Sequence, residues 1–587
     1  MDMRISRACC AGVIAALLFV AFASPHRVLA DADQGVSSKD GMVVCTSGPA
    51  CDAGAGVLAK GGTAVDAAVA TAFALAVTHP SAGNIGGGGF MVVRSTNGNV
   101  TTFDYRERAP LKSTRTMYMR DGKVDISLTN QGYLAPGVPG TVRGMALAHK
   151  KFGRLPWKDV VMPAVQLAEE GFVLSPALAR ELNTQLSGTM GKFPASVDAY
   201  GKPGGGTWAA GDRLVLKDLS KTLRAIATEG PDVFYKGWIA DRIAEDMAAN
   251  GGIITKEDLE QYEAKERAPV KGTFRGYDIA AMPPPSSGGV AMIQMLNMLE
   301  SFDLKSKGFD SAETKHLQIE AMRRAYLDRA RFLGDPDFVK MPLSRLLSKD
   351  NAKTLAATID PAKASSSVEL GKDIVTTPPQ QESEETTHFS IIDRSGMAVS
   401  NTYTLEGGFG SRVVVKGAGF LLNNEMGDFN KNPGVTLPDG TIGTPANLID
   451  PGKRMLSSMV PTIVSKDGKV VLITGSPGGR TIINTVFTVV LAVTEFGMNV
   501  RDAVDAPRMH HQWLPDEVTI ERAGADDALV QKLKAMGHTV KVGNRQGDAN
   551  SILVDPGGTA WGANDKRSAD GKVSVAGAHL TLAAPRR

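Results

Sequence analysis

The sequence predicts a mixed α/β layered fold, and three observations carry that expectation. Strand-like and helical runs both recur along the chain, yet without the regular strand–helix–strand beat of a parallel sheet and without an internal repeat. The chain has 587 residues, 43% of them hydrophobic, with 64 Gly, 31 Pro and 4 Cys. Such a chain can bury a large core. Its composition excludes a disordered chain, a coiled coil, a collagen-like repeat and a disulfide scaffold. Third, the stretch from Glu385 to Thr404 reads as a hairpin with one apolar face, which has to lie on another layer. The charge balance, 65 Lys+Arg against 62 Asp+Glu, leaves no basic run able to track a phosphate backbone, so no nucleic-acid partner is expected.

Taken in order, residues 1–30 read as a cleaved secretory signal. Arg4 and Arg7 precede the apolar run Ala11 to Ala23, which is too short to span a bilayer, and Val28-Leu29-Ala30 supplies the cleavage pattern. Cys9 and Cys10 leave with it. Cys45 and Cys51 would then meet an oxidising compartment, where they either bridge or stay free. No later stretch reads as a membrane anchor, so the protein is expected to be periplasmic or secreted. Gly56 to Val77 is Ala-rich with helical periodicity, and the glycine loop Ser81 to Gly89 leads into an apolar strand, Phe90 to Val93. Amphipathic helices are expected over Trp157 to Gly171 and Ser311 to Phe332. Pro361 to Glu385, rich in Ser, Pro, Thr and acids, reads as an exposed, flexible stretch. Lys469 to Thr474 is a buried-type strand, followed by Gly475-Ser-Pro-Gly-Gly479 and a long apolar helix, Thr481 to Phe496.

Some patterns point nowhere. Gly54-Ala-Gly56-Val-Leu-Ala59 matches a dinucleotide fingerprint but has no acid about 20 residues on to hold a ribose. Gly86 to Gly89 lacks the Gly-Lys-Ser/Thr of a phosphate loop, which favours a tight backbone approach instead. His510 and His511 are adjacent and point in different directions, which favours a structural role over metal ligation.

The hairpin is more informative. Two strand-like runs flank Arg394-Ser395-Gly396, a three-residue loop with Gly in the left-handed position. If Asp393 pairs with Met397, Thr386 falls opposite Thr404. Phe389, Ile391, Met397, Val399 and Tyr403 then form an apolar face for a helix layer. Thr386, His388, Ser390, Ala398, Ser400, Thr402 and Thr404 form a small, mostly polar one. The second face suits either a site or ordinary contact with water. A Thr hydroxyl needs a base within reach, and a cut before Thr386 would supply its own α-amine, with Thr404 holding the hydroxyl's rotamer.

These motifs together resemble the bacterial gamma-glutamyltranspeptidases. The resemblance runs through His79 to Met91, Tyr105-Arg-Glu107, Met282 to Gly289, Leu333 to Val339, Glu385-Thr-Thr-His388, Leu421 to Asn424, Leu456-Ser-Ser-Met459, Gly475 to Gly479 and His510 to Pro515. It implies a four-layer αββα sandwich of the N-terminal-nucleophile hydrolase type and a precursor that cuts itself at Glu385–Thr386. A large chain, 31–385, and a small chain, 386–587, would then form one globular unit. Thr386 would be the nucleophile, supported by Thr404, with Gly478 and Gly479 offering backbone amides to the oxyanion. The substrate's α-carboxylate would meet Arg106, Ser457 and Ser458, and its ammonium would meet Glu406, Glu425 and Asp428. The implied reaction passes a γ-glutamyl group from glutathione or a glutamine-like donor, through an ester on Thr386, to water or to an amino acid or dipeptide. It needs no metal and no organic cofactor.

Two departures stand out. Many relatives carry Asn and Gln where this chain has Glu406 and Glu425, which strengthens ammonium binding and disfavours acidic acceptors. The lid loop Asn430 to Asn447 lacks a Tyr, with Asp439 nearest its place, which favours hydrolysis over transfer. The alternatives are a cephalosporin acylase or a γ-polyglutamate depolymerase on the same scaffold, or an exported binding protein without turnover.

Overall fold

A computed structural model describes residues 34–374, 385–435 and 444–577. Two seven-stranded sheets lie face to face, and every strand pairing within them is antiparallel. The first sheet runs Lys572–Val575, Gly41–Cys45, Thr387–Asp393, Ala398–Thr404, Gly88–Arg94, Val100–Asp104, Lys265–Arg267. The second runs Val36–Ser38, Ala560–Ala563, Ser551–Val554, Lys469–Thr474, Thr462–Lys466, Tyr277–Ala281, Val270–Phe274.

The side-chain period of two makes the four layers. Val43, Met91, Val93, Phe389, Ile391, Val399 and Tyr403 face outward into one core shared with helices Gly48–Ala59 and Ala64–Thr78. Their neighbours Met42, Val44, Phe90, Val92, Ile392 and Ala398 face inward, into a second core with Ile463, Leu472 and Ile552. That core continues to helices Gly288–Leu299, Ala312–Phe332 and Thr481–Thr494 beyond the second sheet. The chain is therefore an αββα sandwich.

The central hairpin has the register its spacing predicts, from Thr387↔Tyr403 to Ile392↔Ala398, with Gly396 at φ +85° in the turn. Its polar face lies in the seam between the sheets, not in water. Ser390 Oγ donates to the Asn550 carbonyl (2.7 Å), Ser400 Oγ to the Thr474 carbonyl (2.8 Å), and His388 Nδ1 meets Thr402 Oγ1 at 2.8 Å. Small hydroxyls there satisfy the buried polar atoms of the facing strands.

Other expectations change. The helical stretch Gly56 to Val77 is two helices. The break falls at Gly61 (φ +86°) and Gly62, and Thr63 with Asp66 forms a capping box that restarts the chain as Ala64–Thr78. Gly54 belongs to the first of them, where a Cβ would lie 2.2 Å from Thr71 Oγ1, so it serves helix packing and not a nucleotide. The stretch after Pro361 is anchored at least to residue 370. Ser367 is fully buried, its N–H donates to Asp516 (2.8 Å), and its carbonyl accepts from Trp513 Nε1 (2.8 Å). Residues 1–30 and Asp439 lie outside the described residues.

Candidate active site

Glu385, Thr386 and Thr404 line one cavity at the end of the first sheet. The same cavity collects Arg106, Glu406, Glu425, Asp428, Ser457, Ser458 and Gly479. Thr386 stands immediately before the Thr387–Asp393 strand and is 7% exposed; Thr404 ends the partner strand and is 2% exposed. In this uncut chain the Thr386 hydroxyl donates to the Glu385 carbonyl at 2.6 Å, and the Thr404 hydroxyl donates to the same oxygen at 3.1 Å. The Glu406 N–H donates to Thr404 Oγ1 (2.8 Å), which leaves the Thr404 proton directed at that carbonyl.

The glycine loop fixes Thr404 from behind. Asn84 Nδ2 donates to the Thr404 carbonyl (2.8 Å) while its Oδ1 accepts from Gly87 N (3.0 Å) and Thr141 Oγ1 (2.7 Å). Gly87 has no room for a side chain, because a Cβ there would meet the Thr404 carbonyl at 2.1 Å. That is the tight backbone approach expected of this loop. Asn84 itself went unremarked in the sequence, although it sits in the run of glycines that drew attention.

Gly478 and Gly479 have φ of +126° and +54°, in the left-handed half of φ space, and turn the chain from the Lys469–Thr474 strand into helix Thr481–Thr494. Gly479 borders the cavity and, of the described residues that line it, Gly478 is not one. The loop is spaced from the hairpin by His388. Its ring lies so close to Gly475 that a Cβ there would sit 2.3 Å from it. Burial pulls this histidine down to about 3, so it is neutral.

Arg106 is 1% exposed and pairs with Glu425 and Asp428, with Glu107 at 3.7 Å; it also donates to the carbonyls of Met455 and Leu456. Burial works against its charge, but Glu425, Asp428 and Glu107 outweigh that and hold it firmly cationic. Its fork is thus already occupied by acids in the uncut chain. Glu425 Oε2 and both oxygens of Glu107 lack hydrogen-bond partners among the described residues, and burial pushes both carboxyls upward, Glu107 to about 8. Glu406 stands at φ +77° and accepts from Asn424. Glu107, Glu425 and Asp428 thus gather around one guanidinium, while Glu385 and Glu406 border the same cavity, a set of carboxyls that can receive a cation.

Ser457 and Ser458 line the same cavity and directly follow the Met455 and Leu456 carbonyls that Arg106 holds. The Ser457 hydroxyl accepts from Met459 N (3.1 Å), and Ser458 Oγ accepts from Arg329 Nη2 (3.0 Å), whose Nε donates to Ser287 (2.8 Å). Arg329 and Arg480 also line the cavity, as does Asn447, which donates to the Asp428 carbonyl (2.6 Å) and accepts from Leu456 N (2.9 Å). Nothing in the helical pattern around Arg329 marks it off from the other arginines of that helix.

One cluster has ligand-like composition. His316, Glu320 and His538 bring donor atoms within 4.8 Å of one another. Its groups satisfy one another without an ion: the rings meet at 2.7 Å, His316 Nε2 reaches the Asp360 carbonyl (2.8 Å), and Glu320 accepts from Arg323, Arg324 and Ser365 N. Two guanidiniums beside it disfavour a cation. His510 is likewise engaged, by Asn484 (2.7 Å) and Gln512 (2.6 Å), while His511 lies 3.5 Å from Asp516. Among the described residues no helix is long and apolar enough to cross a membrane.

Two antiparallel sheets between helical layers, with a threonine at the head of a central strand, define an N-terminal-nucleophile hydrolase. The solved structures agree. A cephalosporin acylase from Bacillus halodurans has a TM-score of 0.82 at 27% identity, covering 95% of this chain and 100% of its own. The Helicobacter pylori gamma-glutamyltranspeptidase chain has a TM-score of 0.53 at 46% identity, over 54% of this chain and 91% of that one. Among curated proteins, the glutathione hydrolase proenzyme of Escherichia coli strain K12 is 48% identical over 570 residues, 95% of this chain and 97% of its own. The acylase ACY 1 proenzyme of Pseudomonas sp. strain SE83 is 37% identical, over 92% of this chain and 94% of its own. The gamma-glutamyltranspeptidase family model matches residues 50–575, and the chain belongs to that family.

Proposed function

We propose that this enzyme is an exported, self-processing γ-glutamyl hydrolase and transferase acting on glutathione and related γ-glutamyl compounds. The observation that carries the reading is the Thr386 hydroxyl lying 2.6 Å from the Glu385 carbonyl oxygen, beside the Thr404 hydroxyl, in a cavity rich in acids. The hydroxyl attacks the Glu385 carbonyl carbon, the peptide nitrogen takes a proton and leaves, and water hydrolyses the resulting ester. Chains 31–385 and 386–587 result, and the freed α-amine of Thr386 becomes the base for its own hydroxyl.

In turnover Thr386 attacks the γ-carbonyl, Gly478 and Gly479 receive the oxyanion, and the amine leaves with a proton from the α-ammonium. The acyl group then passes to water, an amino acid or a dipeptide. Ser457, Ser458 and Arg106 hold the α-carboxylate, and Glu406, Glu425 and Asp428 the α-ammonium. The acid-rich wall supports a γ-glutamyl donor over an acyl group that lacks an ammonium, which weighs against the acylase alternative that the acylase relatives keep in view. The signal peptide and a periplasmic or secreted location belong to the same reading.

Intact mass of the purified protein beside its Thr386→Ala variant tests it. Two chains meeting at Glu385–Thr386 in the parent and one in the variant are expected, with γ-glutamyl anilide turnover only in the parent. A folded parent that stays in one piece overturns the reading.

A further inference from the structure

Cutting before Thr386 would turn the head of a central strand into a chain end, and strand ends fray unless both edges are held. One edge of Thr387–Asp393 is held along its length by Ala398–Thr404, from Thr387↔Tyr403 onward. The other edge differs. Its ladder partners in Gly41–Cys45 run only from Ser390↔Val44 to Asp393↔Gly41. Past Ser390 the neighbouring chain turns off toward the helix that starts at Gly48. There the backbone ladder gives way to a side-chain bond: Thr46 Oγ1 and Thr387 Oγ1 meet at 2.8 Å, with Thr46 2% exposed and Thr387 fully buried.

Thr46 is itself held on both sides. Cys45 and Cys51 are joined in a disulfide that encloses it, with their Cα atoms 5.7 Å apart, which settles the pairing the sequence left open. Inside that loop Ser47 donates from Oγ to Thr78 Oγ1 (2.8 Å), and its carbonyl accepts from Cys51 N (3.0 Å). The hydroxyl that reaches Thr387 is thereby fixed to the covering helices.

We infer that Thr46, clamped by the Cys45–Cys51 disulfide, is a positioning residue for the nucleophile. Its hydroxyl holds Thr387, and Thr387 holds the N-terminal Thr386 in register with Thr404 once the chain is cut. The inference rests on Thr386 being the nucleophile. Neither Thr46 nor Thr387 is among the residues that line the cavity, so loss of the pair is expected to act on the chemical step and leave donor binding alone.

The test compares the matured parent with Thr46→Val, Thr46→Ser and the double variant Cys45→Ala/Cys51→Ala, using γ-glutamyl-p-nitroanilide and intact mass. Thr46→Val keeps the shape and removes the hydroxyl. It is expected to lower kcat about tenfold with KM within about twofold, because a small misplacement of the attacking atom is costly. Thr46→Ser restores most of that loss, and the cysteine double variant shows a smaller fall of the same kind. If Thr46→Val gives no folded protein, Thr387→Val removes the same pair from the other side. A cut parent whose kcat survives Thr46→Val, or a loss that appears in KM, overturns this inference alone. A parent that stays uncut overturns it together with the reading it rests on.

Discussion

Replacing Thr404 by Val tests the chemistry of self-cleavage most directly. In the uncut chain two hydroxyls donate to the Glu385 carbonyl, Thr386 at 2.6 Å and Thr404 at 3.1 Å. Thr386 has to give up its proton to attack, so its bond to that oxygen vanishes as negative charge develops there. Thr404 remains, and the Glu406 N–H held at 2.8 Å on its oxygen keeps its proton facing the carbonyl. It is therefore a donor whose bond strengthens toward the transition state. Both threonines are nearly buried, at 7% and 2% exposure, so solvent is poorly placed to substitute. Losing one such donor costs about 3–4 kcal/mol, or roughly 10²–10³ in rate. Val keeps the shape and favours strand, so the pairing of position 404 with Gly88 survives. The assay follows conversion of the purified precursor to two chains by intact mass over time, for the parent, Thr404→Val and Thr404→Ser. The expected order is parent, then Ser within about tenfold, then Val slower by roughly 10²–10³. A Thr404→Val chain that matures within about twofold of the parent refutes the reasoning, as does Ser failing as badly as Val.

Two further outcomes follow from burial and from lack of space. Glu107 is fully buried with its carboxyl raised to about 8, so between the ordinary carboxylate range and pH 8 the folded chain binds a proton that the unfolded chain has lost. Its contribution to stability is then complete below about pH 4.5 and is lost as pH rises toward 8. Glu107→Gln should flatten that slope, raising the melting temperature relative to the parent at pH 8 by the equivalent of about 1–4 kcal/mol and leaving it little changed at pH 5; parallel melting curves across that range would argue against it. Gly475→Ala places a methyl 2.3 Å from the His388 ring and should cost about 1–3 kcal/mol and lower kcat by shifting the loop toward Gly479. Combined with His388→Ala, the losses measured by chemical denaturation should fall short of their sum, whereas strict additivity would mean the two residues do not press on each other.

The parts of this molecule legible in its sequence are those set by local rules. A period of two sorted Phe389, Ile391, Val399 and Tyr403 from Ser390, Ser400 and Thr402, and the three-residue turn at Gly396 fixed the register that brings Thr386 to Thr404. Lys469–Thr474 and the helix beginning at Thr481 were likewise set by runs of apolar residues. What the sequence did not disclose depends on contacts between distant segments. The polar hairpin face looked fit for water because the strands that cover it, Thr462–Lys466 and Lys469–Thr474, lie more than half a hundred residues on. Ser367 looked flexible because its partners, Asp516 and Trp513, are supplied from the far end of the chain. The break at Gly61 and Gly62 was readable, since Thr63 and Asp66 form a capping box, and the Ala-rich periodicity on either side obscured it.

The acid wall raises a question of order in time. In the uncut chain Glu385 lies in the cavity beside Glu406, Glu425 and Asp428. It adds one carboxyl before the cut, and hydrolysis would add a second, its new α-carboxylate, at the same point. Arg106 is already shared among Glu425, Asp428 and Glu107, which leaves Arg329 and Arg480 as the other cations bordering the cavity. The Thr386 ammonium formed by the same event is the charge that such a wall attracts. If the chain is cut as proposed, Glu406, Glu425 and Asp428 would repel the released carboxylate end and draw in the new N-terminus, so one set of carboxylates would serve maturation first and recognition of a substrate ammonium afterwards.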